Sequence, residues 1–158
     1  TKENKNLEAS IAALYKLSVH LRIIGELTSK QKELLNKFSI EYSNVYSISQ
    51  EELHKEYQLC DIVFFPSTYE GFGLPVIEGF QAGRPVLTSN ISPMREVAAG
   101  AALLINPACI SSIRNCLKKL IAEPTLREEM VTKGFEVVKS YAPSAISKRY
   151  KQLWEQLF

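Results

Sequence analysis

The stretch DIVFFPSTYEGFGLPVIEGFQAGRPVLTS, residues 61–89, holds the pattern from which the architecture can be predicted. Its opening run is apolar on both faces, as expected of a central parallel strand that is covered by helices on each side. After a loop with two glycines we expect a helix from Pro75 to about Ala82, ended by Gly83. RPVLTS is predicted as the next strand. Strand, helix and strand in this order indicate a parallel unit with a right-handed crossover.

Strands and helices alternate on both sides of this stretch as well. Leu7, Ile11, Leu14 and Leu17 recur at helical spacing and predict a first helix over about residues 4–18. Further strands are expected at HLRIIG (20–25), NVYSI (44–48) and ALLIN (102–106), and further helices from Thr28, from Ser49 to about Gln58, and over 109–122, 125–141 and 143–157.

Several helix starts are indicated by capping residues. In a capping box, a hydroxyl residue is followed three positions later by Glu or Gln. This pattern predicts capping boxes at Thr28–Gln31, Ser49–Glu52 and Thr125–Glu128. For the short helix SPMREVA we expect Ser92 as the cap and Pro93 at the first helical position.

The alternation predicts the fold class α/β, a Rossmann-like, doubly wound parallel sheet with helices on both faces. In such folds a first strand usually feeds the first helix, whereas this chain begins in the loop before that helix. We therefore expect that an edge or central strand precedes the first residue in a longer protein.

The composition fits one globular domain over residues 1–158. The chain is 46% apolar and 23% charged, and its length is sufficient to bury a core. The net charge of +2 gives no reason to expect nucleic acid as a partner. Any concentration of positive charge that serves a function must therefore be local.

The cysteines and histidines form no metal-ligand pattern. Cys60, Cys109 and Cys116 form no CxxC pair, and His20 and His54 lack companions at ligand spacing. We expect Cys109 and Cys116 to be buried free thiols of a reduced intracellular protein, and we expect no metal site. The sequence has no signal peptide and no apolar run of membrane-spanning length, so we expect a cytoplasmic location.

The loop after DIVFF is predicted to lie in the ligand crevice, because open α/β sheets bind ligands beyond the carboxyl ends of their strands. Gly71 and Gly73 permit positive φ and allow the backbone to approach a ligand closely. Pro75 suits a first helical turn, so the free N–H groups around Gly73 and Leu74 point out of the helix start and attract phosphate. Taken alone, a plain helix start explains these residues equally well.

Two glutamates flank this helix start. Glu78 lies in its first turns, and helical side chains lean toward the amino end, while Glu70 reaches in from the loop. Carboxylates accept hydrogen bonds from vicinal hydroxyls. The geometry therefore suggests a ligand with phosphate in the middle and hydroxyl-rich groups at both ends.

The whole string E-G-F-G-L-P-x-x-E, Glu70–Glu78, is far more restrictive than two glutamates alone. It resembles the donor-site signature of retaining glycosyltransferases with the GT-B fold, of the group 1, family 4 type, which use nucleotide-activated sugars. The similarity extends from Lys5 and Asn6 to the last helices and is strongest over Asp61–Pro107. It implies that residues 1–158 form the carboxy-terminal, nucleotide-sugar-binding half of a two-domain GT-B enzyme.

The resemblance assigns roles by position. Glu70 would hydrogen-bond the hydroxyls of the donor sugar, Lys5 would neutralise the diphosphate, and Glu78 would accept hydrogen bonds from the ribose. Glu70 and Lys5 are thereby the candidate catalytic residues. The other implied donor-binding positions are the backbone of Gly71, Phe72, Gly73 and Leu74 at the sugar and diphosphate, and Ser47 and Ile48 at the nucleobase.

Two positions depart from the family pattern. The family usually has an arginine a few residues before the lysine, whereas this chain has Thr1 and Lys2 there. Either Lys2 substitutes in contacting the diphosphate or that role is absent, since Arg and Lys are not equivalent at a bidentate site. Family members often have an acidic residue after the proline that follows the last strand, where this chain has Ala108 and Cys109. We expect this difference to affect a loop rather than the chemistry.

The resemblance also implies partners and a reaction. A hexose such as mannose or glucose would move from a GDP- or UDP-linked donor to an acceptor hydroxyl with its anomeric configuration retained, and no metal cofactor would be required. The acceptor would bind the protein's own amino-terminal domain, and the enzyme would be cytoplasmic or peripheral at the inner face of a membrane. Alternatives are a nucleotide-sugar epimerase or sugar phosphorylase on the same fold, or a non-catalytic Rossmann-like binding module.

Some side chains leave two interpretations open. Tyr69 and Phe72 could wall a sugar pocket or serve packing. The apolar stripe of Tyr150, Leu153, Trp154 and Leu157 could pack on this domain or form an interface with another. We expect Arg84 and Arg95 to lie outside the site.

Overall fold

The computed structural model describes residues 3–157, in which helices alternate with short strands. Its strands are β1 (His20–Ile24), β2 (Glu41–Val45), β3 (Val63–Phe65), β4 (Val86–Ser89) and β5 (Leu103–Ile105). A 3-10 turn over Glu3–Lys5 precedes the helices α1 (Leu7–Leu14), α2 (Ser29–Lys37), α3 (Gln50–Leu59), α4 (Leu74–Gln81), α5 (Met94–Ala98), α6 (Ile110–Ala122), α7 (Pro124–Lys139) and α8 (Pro143–Leu157). The predicted α/β class is confirmed.

The strands form two parallel sheets. β1 pairs with β2 in the register His20↔Glu41 to Ile24↔Val45. β4 lies between β3 and β5 and pairs in parallel with both. Within the described residues no ladder hydrogen bonds join β1 to β3. The doubly wound arrangement therefore contains a gap between its two halves.

Asn6 fixes the direction in which the two sheets run. Its side-chain amide donates to the carbonyls of Pro66 (3.1 Å) and Pro107 (2.8 Å), which follow β3 and β5. Helix α1 thus begins at the carboxyl ends of those strands and leads back to the start of β1. All five described strands therefore end at one edge, where α/β folds bind ligands.

Helices cover both faces of the β3–β4–β5 sheet. Val63, Val76 and Phe80 join β3 to α4 in one apolar cluster, while Leu87 and Ile113 join β4 to α6 in another. Neighbouring residues of a strand point to opposite faces, so a strand buried along its whole length must be covered twice. All four residues of β4 are buried, as the apolar run RPVLTS predicts.

The first helix and the second strand differ from the sequence expectation in their bounds. The helix predicted over 4–18 is confined to Leu7–Leu14, because Asn6 and Lys16 adopt left-handed backbone conformations with φ of 58°. The strand predicted at 44–48 is also displaced. It ends at Val45 because Ser47 has φ of 54°, which an extended strand does not permit.

Two of the capping predictions are confirmed and two are wrong. Thr28 and Ser49 form complete capping boxes. Thr125 does not, because α7 begins one residue earlier, at Pro124, and proline is favoured in the first helical turn. At α5 the cap position is held by Pro93 itself, so the predicted Ser92 cap is also wrong.

The three cysteines are free thiols, as predicted, but none is fully buried. Burial nevertheless raises the pKa of the Cys60 and Cys116 thiols above the ordinary value. Cys109 occupies the cap position before α6, and its hydrogen bond with the Ser111 hydroxyl lowers its pKa. The expected burial of Cys109 and Cys116 is therefore corrected to partial exposure.

Helix α8 contains no buried residue. The side chains of its apolar stripe are strongly exposed, with Tyr150 at 71% and Trp154 at 66%. Packing of this stripe against the described domain, one of the two interpretations of the sequence, is thus wrong. No helix between residues 3 and 157 is both long enough and apolar enough to cross a membrane.

A substitution at Gly79 tests how closely α4 packs on the sheet. A Cβ there would lie 2.8 Å from Cγ2 of Val86 and 3.1 Å from Cγ2 of Val63. Because β-branched side chains are stiff, Gly79→Ala should lower the free energy of unfolding by about 1–3 kcal/mol. Urea denaturation measures this. Gly71→Ala, whose Cβ meets nothing within 4 Å, is the control, and equal stability of the two variants would refute the packing.

Candidate functional site

The site is built on the turn between β3 and α4. Helix α4 starts at Leu74, with Gly73 at its cap position in a left-handed conformation (φ 98°). Among the described residues, no acceptor receives the backbone N–H of any residue from Glu70 to Leu74. Five consecutive free donors at the positive end of a helix dipole form a region that attracts anions.

The two glycines of this turn have different roles. Gly71 is exposed, and a Cβ there would meet nothing within 4 Å, so the backbone is open to close approach. Gly73 is buried, and a Cβ there would lie 3.2 Å from Cγ of Met94. The expectation that both residues have positive φ and open space is therefore wrong. Gly73 alone supplies positive φ, and Gly71 supplies the space.

Glu70 is held by the segment before α1. Its Oε1 accepts a hydrogen bond from the Lys5 ammonium at 2.6 Å and a second from the Asn4 amide at 3.2 Å. Asn4 also donates to the carbonyl of Tyr69 at 2.8 Å, and the Lys5 ammonium lies 4.6 Å from the centre of the Phe65 ring. The structure thus brings together the two predicted catalytic residues, which are 65 positions apart in the sequence.

Sequence reasoning missed Asn4. A single asparagine in a polar segment carries no signal of its own, since such residues are common in turns. Only the fold places it against Glu70. Its part in fixing that carboxylate could not be derived from spacing.

Glu78 is held from the opposite side by Tyr57 of α3. The phenol of Tyr57 donates to Oε2 of Glu78 at 2.8 Å. Burial raises the pKa of Tyr57 well above its usual range, and the hydrogen bond to the carboxylate raises it further. Tyr57 therefore remains a protonated donor at neutral pH. Sequence reasoning missed this residue, although the capping box at Ser49 fixes the helix register that presents it.

Each glutamate keeps one oxygen without a partner. Oε1 of Glu70 and Oε2 of Glu78 accept the hydrogen bonds described above, while the other oxygen of each has no donor among the described residues. A carboxylate oriented through one oxygen can accept a hydroxyl with the other. This arrangement suits recognition of two polyhydroxyl groups.

One cavity has both Lys5 and Glu78 in its lining. A volume of about 360 Å³ lies between β1 and β3. Lys5 and Glu78 line it, together with Pro66 and Pro75. Because Lys5 also contacts Glu70, it connects this cavity to the loop that carries Glu70. The helix start, the lysine and both glutamates therefore belong to one region.

The other predicted binding residues occupy varied environments. Phe72 packs edge-on against Tyr141, with ring centres 5.9 Å apart, so packing accounts for part of its role, while Tyr69 and Leu74 are exposed. Ser47 and Ile48 follow β2 at its carboxyl end. Their assignment to the nucleobase stays a prediction, and Lys2 lies outside the described residues.

Two further arginines have other partners. Arg84 donates to the carbonyl of Gln58, and Arg95 pairs with Glu96 at 2.7 Å. The half-buried Arg84 thus contacts α3, whereas Arg95 forms a local pair with its neighbour on the surface. In residues 3–157 there is no cluster of three His, Cys, Asp or Glu side chains that could hold a metal ion.

The sequence is similar to curated proteins that are much longer. Over 127 residues it is 26% identical to "Serotype-specific mannosyltransferase WbdA" from Escherichia coli, an alignment that covers 78% of this chain and 16% of that protein. The chain spans between a tenth and a quarter of the length of several such relatives.

Solved structures share the fold. Sucrose-phosphate synthase from Thermosynechococcus elongatus superposes with a TM-score of 0.86 and 24% identity, over 99% of this chain and 43% of that one. HepE from Anabaena, in complex with UDP and glucose, superposes with a TM-score of 0.81 and 15% identity, over 99% of this chain and 46% of that one.

The family comparison covers most of the domain. Residues 1–137 match the family described as "Glycosyl transferases group 1". The match includes the β3–α4 turn, Lys5 and both glutamates. This chain therefore belongs to the group 1 glycosyltransferases.

Proposed function

We propose that this chain is the donor-binding domain of a retaining glycosyltransferase, which transfers a hexose from a nucleoside-diphosphate sugar to an acceptor hydroxyl. The observation that carries the proposal is the run of free amides from Glu70 to Leu74, with Lys5 beside it and a half-occupied carboxylate on each side. In this proposal the diphosphate binds the amides and Lys5. Glu70 accepts hydroxyls of the hexose, and Glu78 accepts those of the ribose.

Catalysis rests on electrostatic stabilisation of the leaving diphosphate. As the bond between the anomeric carbon and the phosphate oxygen breaks, negative charge grows on the diphosphate. Donors that already point there cost no reorganisation. Lys5 and the helix start supply this stabilisation, so no divalent cation is required. The acceptor oxygen bonds to the anomeric carbon on the same face, and its proton passes to the leaving phosphate oxygen.

Glu70 acts as a binding group rather than a covalent nucleophile in this scheme. Its Oε1 is engaged by Lys5 and Asn4, which orient the carboxylate through that oxygen. Its free oxygen is therefore assigned to the hydroxyls of the sugar. This leaves the phosphate oxygen as the base for the acceptor.

The candidate donors are GDP-mannose and UDP-glucose. The relative from E. coli is named a mannosyltransferase, which favours mannose, and the HepE structure contains UDP and glucose. The acceptor site belongs to the protein's amino-terminal domain, outside this chain. We expect the 158-residue chain to bind donor weakly and to transfer no sugar.

Calorimetric titration with GDP, UDP, GDP-mannose and UDP-glucose tests the proposal. One nucleoside diphosphate should bind, and Lys5→Met should weaken it about tenfold or more, because a charge-assisted contact is lost. Lys30→Met, at an exposed lysine of α2, is the control and should leave the affinity unchanged. Equal affinity of Lys5→Met and the unchanged chain would contradict the proposal, as would an absence of binding by the full-length protein.

Tyr57→Phe tests whether Tyr57 orients Glu78 toward the ribose. Without its phenolic donor the carboxylate is less well fixed, so the preference for a ribonucleoside diphosphate over its 2′-deoxy analogue should fall about fivefold, the equivalent of one hydrogen bond. A merely structural effect would weaken both ligands equally. Calorimetry with the two nucleotides measures this, and Tyr150→Phe, at an exposed tyrosine of α8, is the matched control.

A further inference from the structure

The backbone amides that are proposed to bind the diphosphate lie in a loop with few internal restraints. The N–H groups from Glu70 to Leu74 have no acceptor in the part of the chain that the structure describes. Gly71 lies near the middle of this loop, where a Cβ would meet nothing within 4 Å. Glycine loses more conformational freedom on ordering than any other residue. The direction of these amides must therefore be fixed by contacts of the residues on either side of Gly71.

The contacts described above hold the two ends of this loop. At its first end, Glu70 is bound by Asn4 and Lys5. At its second end, a Cβ on Gly73 would lie 3.2 Å from Cγ of Met94, so the backbone packs closely on that side chain. Neither contact restrains the residues between the two ends.

A third contact restrains the centre of the loop. The ring of Phe72 packs edge-on against Tyr141, with the ring centres 5.9 Å apart and an angle of 78° between the ring planes. Aromatic pairs favour this geometry, and they stabilise it beyond the burial of their surface. The side chain of Phe72 is 44% exposed, so this pair is a main restraint on its position. Because Phe72 follows Gly71 directly, the pair also restrains the amides at the centre of the loop.

Tyr141 is a well-fixed partner, because its backbone and its side chain are both held. It lies in the turn that follows α7, where its N–H donates to the carbonyl of Val138 at 2.9 Å and the N–H of Ser140 donates to that of Val137 at 3.0 Å. Its side chain packs against the apolar cluster that contains Phe80 of α4. The ring pair therefore connects the loop to the core of the domain.

The segment that carries Tyr141 packs along the whole of α4. A Cβ on Gly83, just beyond the carboxyl end of α4, would lie 3.0 Å from Cζ of Phe135 in α7. Further along the chain, Tyr141 contacts Phe72, which precedes the amino end of α4. The segment thus runs antiparallel to α4 and places one aromatic ring at each end of it. Of these two rings, the Tyr141 ring is the one that contacts the loop of free amides.

We propose that Tyr141 is a positioning residue for the donor site, which acts through Phe72 to keep the free amides directed at the diphosphate. Donors that are already oriented bind an anion, and stabilise growing negative charge, without the cost of ordering them. The inference rests on the proposed function, since it concerns the same anion site. It assigns a role to a residue that lies outside the string from Glu70 to Glu78.

Calorimetry with the full-length protein tests the proposal by comparing GMP with GDP and UMP with UDP. The Kd of the monophosphate divided by that of the diphosphate reports how strongly the second phosphate is recognised. Tyr141→Leu should lower this ratio about fivefold, the equivalent of one hydrogen bond, because the amides are less well aligned. Tyr141→Phe retains the ring and should retain the ratio. Phe135→Leu removes a ring at the other end of α4 and, as the matched control, should leave the ratio unchanged.

A double-mutant cycle separates positioning from a merely structural effect. Phe72→Leu should lower the ratio as much as Tyr141→Leu does, and the double variant should lower it no further, since one residue acts through the other. A general loosening of the fold would weaken the monophosphate and the diphosphate equally. Phe72→Leu leaves α7 intact, so it tests the proposal even if thermal denaturation shows that Tyr141→Leu does not fold.

The outcomes distinguish this inference from the proposed function. If the unchanged protein prefers the diphosphate and Phe72→Leu keeps that preference in full, the positioning role is wrong and the proposed function stands. Additive losses in the double variant would have the same meaning. If the unchanged full-length protein shows no preference for either diphosphate over its monophosphate, the proposed function fails and the positioning role fails with it.

Discussion

The hydrogen bonds of the segment before α1 tie the site together. The Asn6 amide binds the carbonyls that follow β3 and β5, and it thereby holds the start of α1 at the carboxyl ends of these strands. Its neighbours Asn4 and Lys5 are thereby brought onto Glu70. Together with the hydrogen bonds between Asn4 and residues Thr68 and Tyr69, this contact holds Lys5 beside the loop that carries the free amides. Binding chemistry and strand order thus depend on the same short segment.

Much of the fold follows from local sequence signals that agree with one another. The apolar runs at β3 and β4 indicated strands covered on both faces, and both clusters confirm it. Ser49 and Thr28 marked their helices because a capping box satisfies its donors within four residues. The string from Glu70 to Glu78 predicted the turn between β3 and α4. Its glycines and proline act on their own backbone, so this signal is local as well.

Features that depend on distant contacts could not be predicted in this way. The burial of Gly73 arises from Met94, which packs on it from another helix. Tyr57 and Asn4 are ordinary residues in sequence, and tertiary contacts alone give them roles beside the two glutamates. Sequence spacing carries no information on which of these tertiary contacts forms.

The start of α7 was missed for a different reason. Two local signals, the Thr125 capping box and Pro124, competed there, and the proline determined the helix start.

The central claim is that the amides from Glu70 to Leu74 and the Lys5 ammonium bind a diphosphate. Proton–nitrogen correlation spectra of the labelled chain, recorded during titration with GDP or UDP, test it most directly. We predict that the largest chemical-shift changes occur at Glu70 to Leu74 and near Lys5, and that the matching nucleoside produces much smaller ones there. Shifts centred on α8 or on the amino ends of the strands, with these amides unmoved at saturation, would contradict the account.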